Sequence, residues 1–387
     1  MELKNAFIYL ILMPVRPLVL TILLITAAVS CGAQPAPEYS AAWLKVGVGA
    51  RATGMGENFT AVVDDASAIF WNPAGIVKTD NTQVMLQYGM WIAGTDSHAA
   101  SFSQPLPGGN SAIAGGISYI DHGNIIRTTD LASTEVDASS ADSFPANAYC
   151  AAAGYSRSID RAISAGVTAK IISETIDTYS VSATAVDAGF LYSGYGGNLS
   201  AGAVIQNLGA SYDGFPVPQT IKAGVKMNSG LAILSADISQ GDGSPARTGA
   251  GMEITFNNMI SVRLGYTMGL GGIDTGGMVP AGVSFGLGAK SRFLDFDLAF
   301  SGWGGLGENS GPFNTPLRAS LLFKFGQSAG DASGSGSVSR PDRRSTGTYQ
   351  PQPYQPYQPY QPYPVYQPYP VYQPQPVYQP QPYQPYR

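Results

Sequence analysis

The chain has 387 residues, of which 12% are charged and 44% hydrophobic, with 47 glycines and a formal net charge of -5. Soluble proteins carry about 25% charged residues, so this chain is short of polar surface for an ordinary soluble protein. The acidic balance and the absence of a basic run argue against a nucleic-acid partner. After the N-terminus no run reaches about 18 apolar residues, which disfavours a helical membrane protein. A transmembrane β-barrel explains both the low charged fraction and the lack of a long apolar run, because its apolar residues alternate with polar ones along each strand.

Residues 1–33 are predicted to be a signal peptide, which implies an exported protein. Lys4 and Arg16 precede an apolar core at 18–29, and small residues follow it. Because the stretch before Met13 lengthens the charged region, translation starting at Met13 is an alternative to Met1. Cys31 ends a run that loosely resembles a lipoprotein cleavage box, so it is either lipidated or an ordinary small residue near the cleavage position. The only other cysteine is Cys150, so no disulfide framework is expected.

Residues 34–80 are predicted to form a compact N-terminal hatch of short helices. Gly49, Gly54 and Gly56 permit tight bends and close backbone approach. A short helix is expected over 66–71, with Asp64 and Asp65 as its caps. Asn72 and Pro73 should end that helix, and Gly75 would tolerate a positive φ. The residues of this motif are Gly49, Arg51, Gly54, Gly56, Asp64, Asp65, Asn72, Pro73, Ala74 and Gly75.

The start of this segment also matches a dinucleotide-binding fingerprint, with Gly47, Gly49 and Ala52 at the spacing G-x-G-x-x-G/A. That fingerprint requires a buried strand before it, a long helix after it and a βαβ unit around it. The later chain does not alternate strands with long helices, so no nucleotide cofactor is expected.

The run GARATGMGENFTAVVDDASAIFWNPAG at 49–75, followed by a β-rich body, resembles the N-terminal hatch of the PorV/PorQ family. That family belongs to the FadL-like (OmpP1-type) group of outer-membrane barrels, and the resemblance covers residues 40–326. Glu57 departs from the pattern, since a small residue is expected there. The resemblance implies a non-enzymatic scaffold or shuttle in type IX-like secretion and surface attachment, with a translocon or cargo proteins as partners. The alternative is a FadL-like passive transporter, in which the hatch gates the path of a hydrophobic ligand.

Residues 81–326 are predicted to form a 14-stranded antiparallel barrel in contact with outer-membrane lipid. Turn residues separate fourteen alternating segments, and an even count is typical of single-chain bacterial barrels. The expected strands are 81–94, 96–105, 110–121, 145–158, 160–174, 179–193, 198–208, 218–228, 231–240, 245–257, 259–270, 278–289, 292–303 and 315–326. Connections after even-numbered strands are tight and those after odd-numbered strands are long, apart from the first hairpin at Gly94. This parity predicts short periplasmic turns and longer outer loops.

The alternation of apolar and polar residues within the strands predicts which face points toward the barrel interior. Ile260, Val262 and Leu264 share one face, whereas Arg263 lies on the other. The charges expected to point inward carry both signs and are Lys170, Lys222, Lys226, Asp237, Glu253, Arg263, Asp295, Asp297, Arg318 and Lys324. Mixed signs favour a plugged, salt-bridged interior, although polar residues on any wet face would give the same pattern.

The C-terminal region differs from the barrel in composition and is expected to lie in the periplasm. Residues 327–347 form a Gly/Ser-rich linker, and residues 348–387 form a Pro/Gln/Tyr repeat tail, disordered or in polyproline II. Polyproline II has three residues per turn, so tyrosines at that period would form one stripe: Tyr354, Tyr357, Tyr360, Tyr363, Tyr366, Tyr369 and Tyr372. The tail is either a docking arm for a periplasmic protein or peptidoglycan, or a disordered spacer.

Catalytic chemistry has little support in the sequence. Its two histidines, His98 and His122, match no metal-ligand spacing, and no phosphate loop or nucleophile elbow occurs. The sequence therefore predicts an outer-membrane protein that is not an enzyme and has no metal or cofactor.

Overall fold

The computed structural model describes residues 40–91, 94–127, 142–209, 211–212, 214–241, 246–270, 282–302 and 316–326. The predicted signal peptide with Met13 and Cys31, the Gly/Ser linker and the tyrosine stripe of the tail lie outside these residues. The predictions made for them stay predictions.

The described chain is dominated by strands in which successive side chains point to opposite faces, as the alternating sequence requires. The strands are β1 (Thr82–Met90), β2 (Asp96–Pro105), β3 (Ser111–Ile126), β4 (Ser143–Ser158), β5 (Ile163–Ile176), β6 (Tyr179–Gly194), β7 (Leu199–Leu208), β8 (Ser211–Tyr212), β9 (Phe215–Pro216), β10 (Thr220–Asn228), β11 (Ala232–Gly241), β12 (Arg247–Phe256), β13 (Ile260–Gly269), β14 (Gly282–Lys290), β15 (Leu294–Ser301) and β16 (Leu317–Phe325).

All of these strands except β8 and β9 form one closed antiparallel barrel. The barrel closes where β1 pairs with β16, from Thr82 opposite Phe325 to Met90 opposite Leu317. Closure leaves no strand edge with unpaired backbone groups. The prediction of a 14-stranded antiparallel barrel is therefore confirmed.

Several strand ends and connections differ from the sequence-based expectation. β1 stops at Met90 rather than at 94, and β3 runs on to Ile126 rather than ending at 121. The connection between β5 and β6 is a tight turn at Asp177, which has a φ of 56°, so the first hairpin is not the only short one at that end. The predicted loop after β7 contains the β8–β9 hairpin, whose two-residue strands are too short to leave a periodic signal.

The outer surface of the barrel carries the apolar side chains that the alternation assigns to it. Ile260 and Phe285 are 57% exposed, and Val262 and Leu264 are also exposed. A closed barrel with this exterior suits a hydrocarbon environment, because every backbone polar group in the paired strands is satisfied by a neighbouring strand. Among the described residues, no helix combines the length and hydropathy needed to cross a membrane.

Residues 40–80, called the inner segment below, lie inside the barrel. They comprise a 3-10 turn at Ala42–Lys45, helix α1 (Ala50–Gly54), helix α2 (Ala68–Trp71) and a second 3-10 turn at Pro73–Lys78. α1 packs against β13 to β16, whereas the second 3-10 turn packs against β3 to β6. The segment therefore meets the wall on opposite sides, and its own buried core includes Met55, Phe59 and Trp71.

Candidate functional site inside the barrel

Arg51 of α1 ties the inner segment to the wall through a buried network of charges. Its Nε lies 3.0 Å from an oxygen of Glu253, while its Nη1 lies 2.5 Å from Asp64 and 3.0 Å from Asp65. Glu253 also receives Arg263 at 2.6 Å and Lys290 at 3.0 Å. The buried carboxylate of Glu253 is thus compensated by three cations, as a charge out of water must be.

The network fixes the protonation of its members in the inner segment. Burial alone would lower the pKa of Arg51, but the carboxylates of Asp64, Glu253 and Asp65 raise it well above its usual value. Partial burial opposes ionisation of Asp64, yet the Arg51 guanidinium holds the pKa of this carboxyl below its usual value. The anchor is therefore charged on both sides at neutral pH.

The wall charges predicted to point inward do so with both signs. Arg263 and Arg318 are each 1% exposed, and the acids among the predicted set are buried as well. Arg263 pairs with Asp297 at 2.7 Å, and Lys324 pairs with Asp295 at 2.7 Å. The predicted salt-bridged interior is confirmed for these residues.

Glu57, the departure from the family pattern, is accommodated by the wall. It adopts a φ of 63°, and its Oε1 lies 3.5 Å from Nη1 of Arg318. The same guanidinium donates to the Thr53 hydroxyl and stacks 4.8 Å from the ring centre of Trp91. An acidic residue at position 57 thus supplies a counter-charge for a buried arginine.

The glycines of the motif allow backbone to meet backbone. A Cβ on Gly265 of β13 would lie 2.0 Å from the Gly56 nitrogen, and one on Gly54 would lie 2.9 Å from the Gly286 Cα. Gly49 and Gly56 have φ values of 97° and 67°. Gly75 does not adopt the expected positive φ. Glycine is needed at position 75 for lack of space instead, because a Cβ there would lie 2.4 Å from Cγ2 of Val63.

The aspartates of the motif act differently from the predicted caps. α2 begins at Ala68 rather than at 66, and its N-cap Ser67 makes no side-chain capping bond. Asp65 accepts from the Ser67 N–H at 2.9 Å, which forms an Asx turn before the helix. Asp64 faces Arg51 instead, because the buried guanidinium is a stronger partner for a carboxylate than a backbone N–H.

Asn72, Pro73 and Ala74 end α2 and fasten it to the wall. Asn72 is extended, and its side chain donates to the Thr60 and Phe190 carbonyls at 2.9 and 3.2 Å while accepting from the Ala74 N–H. The Ala74 carbonyl accepts from the hydroxyls of Ser156 and Ser164 at 3.2 and 3.1 Å. These contacts join the end of α2 to β4, β5 and β6.

A chamber lies between residues 43–48 of the inner segment and the wall. Its volume is about 60 Å³, enough for a few water molecules, and about 690 Å³ when all the solvent space at its opening is counted. The apolar part of its lining comes from Trp43, Leu44, Val46, Phe70, Trp71 and Ile120. The polar part includes Gln87, Ser118, Lys170, Gln206, Asn207 and Lys222. Polar and apolar groups share the lining about equally, and its aromatic side chains are of the kind that contact small apolar molecules.

The polar groups of the chamber are themselves held in place. Lys222 lies 4.8 Å from the ring centre of Trp71, and Gln206 donates to the Phe70 carbonyl at 2.8 Å. Lys170 pairs with the fully buried Asp187 at 2.6 Å and donates to Asn207 at 3.0 Å. The sequence prediction included Lys170 but missed Asp187 and Asn207, although period-two counting along β6 places position 187 inward with 185 and 189.

The remaining candidates do not form a reactive site. His98 is exposed on the outer face, with its ring 5.3 Å from that of Tyr88, and Cys150 is a buried free thiol. Within the described ranges, no group of three or more His, Cys, Asp or Glu side chains is placed to hold a metal ion.

Comparisons with known proteins bear on the fold. No family model matches the sequence, and no curated protein matches it. Similar solved structures include the toluene transporter TodX of Pseudomonas putida, at 12% identity and a TM-score of 0.54, covering 73% of this chain and 99% of TodX. The toluene transporter TbuX of Ralstonia pickettii is also similar, at 12% identity and a TM-score of 0.52, covering 72% of this chain and 99% of TbuX.

At these identities the likeness shows a shared fold alone. The comparison therefore agrees with the barrel fold, and membership of the FadL-like group stays a prediction from the sequence. The narrower assignment to PorV/PorQ stays a prediction from the motif at 49–75.

Proposed function

We propose that this protein is an outer-membrane channel through which small hydrophobic molecules diffuse passively. The observation that carries the proposal is the chamber, because it lies inside a closed barrel, opens toward solvent and has aromatic and aliphatic side chains in its lining. The apolar exterior supports contact with outer-membrane lipid. The shared fold with two proteins described as toluene transporters supports the substrate class and agrees with a function that is not enzymatic.

The proposal gives the inner segment two tasks. Residues 49–80 close the barrel through the Arg51 network and the Asn72–Ala74 anchor. Residues 43–48 form one side of the ligand chamber. Transport then requires a change in the inner segment or wall that joins the chamber to the far side, because the anchored part fills the barrel between β3–β6 and β13–β16.

The proposed orientation follows from the connections. The tight turns after β2, β4, β10, β12 and β14 would face the periplasm together with both ends of the barrel. The tail after β16 would then be periplasmic, where its tyrosine stripe could meet a protein or peptidoglycan. A scaffold or shuttle role in type IX-like secretion, with translocon or cargo as partners, is the first expectation from the hatch motif and stays a prediction.

Uptake of toluene by cells that express the full chain tests the proposal. A Ser118→Trp variant would fill the chamber, and we expect its uptake to fall at least about fivefold toward that of cells without the protein. Thr184→Trp is the matched control, because Thr184 is exposed on the outer face of β6 and a lipid-facing tryptophan leaves the chamber open. Equal uptake with and without the protein, together with an altered set of surface proteins on deletion, would favour the secretion role instead.

A further inference from the structure

The connection between β7 and β10 folds back against residues that line the chamber. Its described residues, 209, 211–212 and 214–219, are called the roof below. The roof contains the β8–β9 hairpin, in which Ser211 pairs with Pro216 and Tyr212 with Phe215. Tyr212 and Val217 are buried in one apolar cluster with Trp43, Ile120 and Cys150. Because those three residues also line the chamber, the buried face of the roof packs against part of the chamber lining.

Asn207 holds the two ends of the roof together. It stands just before the roof with a φ of 61° and is only 6% exposed. Its Nδ2 donates to the carbonyl of Pro218 at the other end of the roof, at 3.1 Å. Its Oδ1 accepts from Lys170 at 3.0 Å, and its backbone N–H donates to Asp187 at 2.8 Å.

These contacts bind the roof to the chamber wall. The register between β6 and β7 shifts at Asp187, and this irregularity brings the Asp187 carboxylate to the Asn207 N–H. Lys170 lies 2.6 Å from the same carboxylate and lines the chamber. A buried ion pair demands that its remaining donors be satisfied, and Asn207 supplies the acceptor for Lys170.

We propose that Asn207 is a positioning residue that keeps the roof closed and so controls exchange of the hydrophobic ligand between the chamber and the outside. The inference rests on the proposed function for the identity of the ligand. The roof itself can be tested without any ligand. Each hydrogen bond from the Asn207 side chain contributes a modest free energy, so losing both should raise the open fraction by about tenfold.

Cys150 is a built-in reporter for this opening. It is 2% exposed beneath the roof and is the only cysteine beyond the predicted signal peptide. The experiment measures the rate at which a bulky, water-soluble maleimide modifies Cys150 in the folded full chain, with the modified peptide assigned by mass spectrometry. Gel mobility with and without heating shows that the barrel is intact.

Asn207→Gly removes both side-chain bonds and tolerates the positive φ, so we expect modification about tenfold faster than in the native chain. Asn207→Asp keeps an acceptor for Lys170 but has no donor for Pro218, and we expect faster modification here too. This second variant decides the question if the first fails to fold. Asn228→Gly is the matched control, because Asn228 ends β10 at the opposite end of the barrel.

If Cys150 in an intact Asn207→Gly barrel is modified no faster than in the native protein, the proposal is wrong. If Asn207→Gly does not fold, the same result in Asn207→Asp would overturn it. Toluene uptake separates this failure from that of the proposed function. If Cys150 is modified faster in the variants but toluene does not enter cells, the roof proposal holds and the transport proposal fails. If toluene enters while Cys150 stays unreactive in the variants, only the roof proposal fails.

Discussion

The two parts of the inner segment meet the barrel in different ways. Residues 49–80 contact the wall through buried charges and through backbone packed on backbone, as at Arg51 with Glu253 and Gly56 with Gly265. Residues 43–48 line the chamber, where Trp43 donates to Glu174, and the preceding Ser40 donates to the Pro216 carbonyl. One stretch of chain thus both packs tightly against the wall and borders the chamber. Each prediction below disturbs one part and asks whether the other responds.

The largest effect is expected from Gly265→Ala, which removes the space for the anchored part. The new Cβ would lie 2.0 Å from the Gly56 nitrogen, and backbone cannot move aside as a flexible side chain can. We expect the inner segment to leave its seat and the barrel to conduct ions in planar lipid bilayers, where the native protein stays closed. Gly241→Ala is the control, since its nearest neighbour is the Thr220 hydroxyl at 3.4 Å. A closed Gly265→Ala barrel would refute the sealing role.

Arg51→Met should weaken the anchor without adding bulk. Removing one partner of a buried charge network leaves Glu253, Asp64 and Asp65 undercompensated and costs about 3 kcal/mol in the free energy of unfolding. Urea unfolding of the lipid-reconstituted protein measures this loss. Arg157→Met, an exposed arginine on β4, should change it by less than about 0.5 kcal/mol. Equal losses in both variants would show that Arg51 is not an anchor.

Trp43→Phe tests the chamber-lining part with a smaller change. The indole Nε1 donates to Glu174 at 3.3 Å, and losing this bond should cost about 1 kcal/mol. Because the change is local, we expect faster modification of Cys150 with little shift in the urea midpoint of the barrel. A drop in the midpoint as large as that of Arg51→Met would mean that the two parts are not distinct.

The smallest effect is expected from pH acting on Asp64. The pKa of this carboxyl is lowered in the folded state, so its contribution is present above the ordinary value of about 3.9 and is lost as the pH falls through the folded value. Native protein should therefore be more stable than Asp64→Asn at pH 6, by under about 1 kcal/mol because the pair is partly exposed. The gap should shrink toward pH 3. A gap that is constant across this range would contradict the assignment.

The sequence predicted what depends on local period and missed what depends on distant contacts. Alternation in segments such as 260–266 predicted the strands and their outer faces, because each residue's face follows from its neighbour's. The bend at Asn72 and Pro73 was readable for the same local reason. Asp64 was misassigned as a cap because its partner Arg51 meets it only in the folded segment.

The chamber and its roof lay beyond sequence reasoning. Asn207 and Pro218 are joined by the fold of a connection whose strands are two residues long. Gly56 approaches Gly265, which is far away in the chain. The sequence could therefore indicate that Gly56 has a special backbone role but not which residue it contacts. Space between the inner segment and the wall is a property of packing, which no single stretch encodes.

A crystal soaked with bromobenzene shows whether small hydrophobic molecules enter the chamber, because the anomalous signal of bromine locates them. We expect a bromine peak in the chamber bounded by Trp43, Trp71 and Ile120, and its loss in Ser118→Trp. Bromine found only on the lipid-facing surface, with the chamber free of it, would contradict the claim that this barrel holds small hydrophobic molecules.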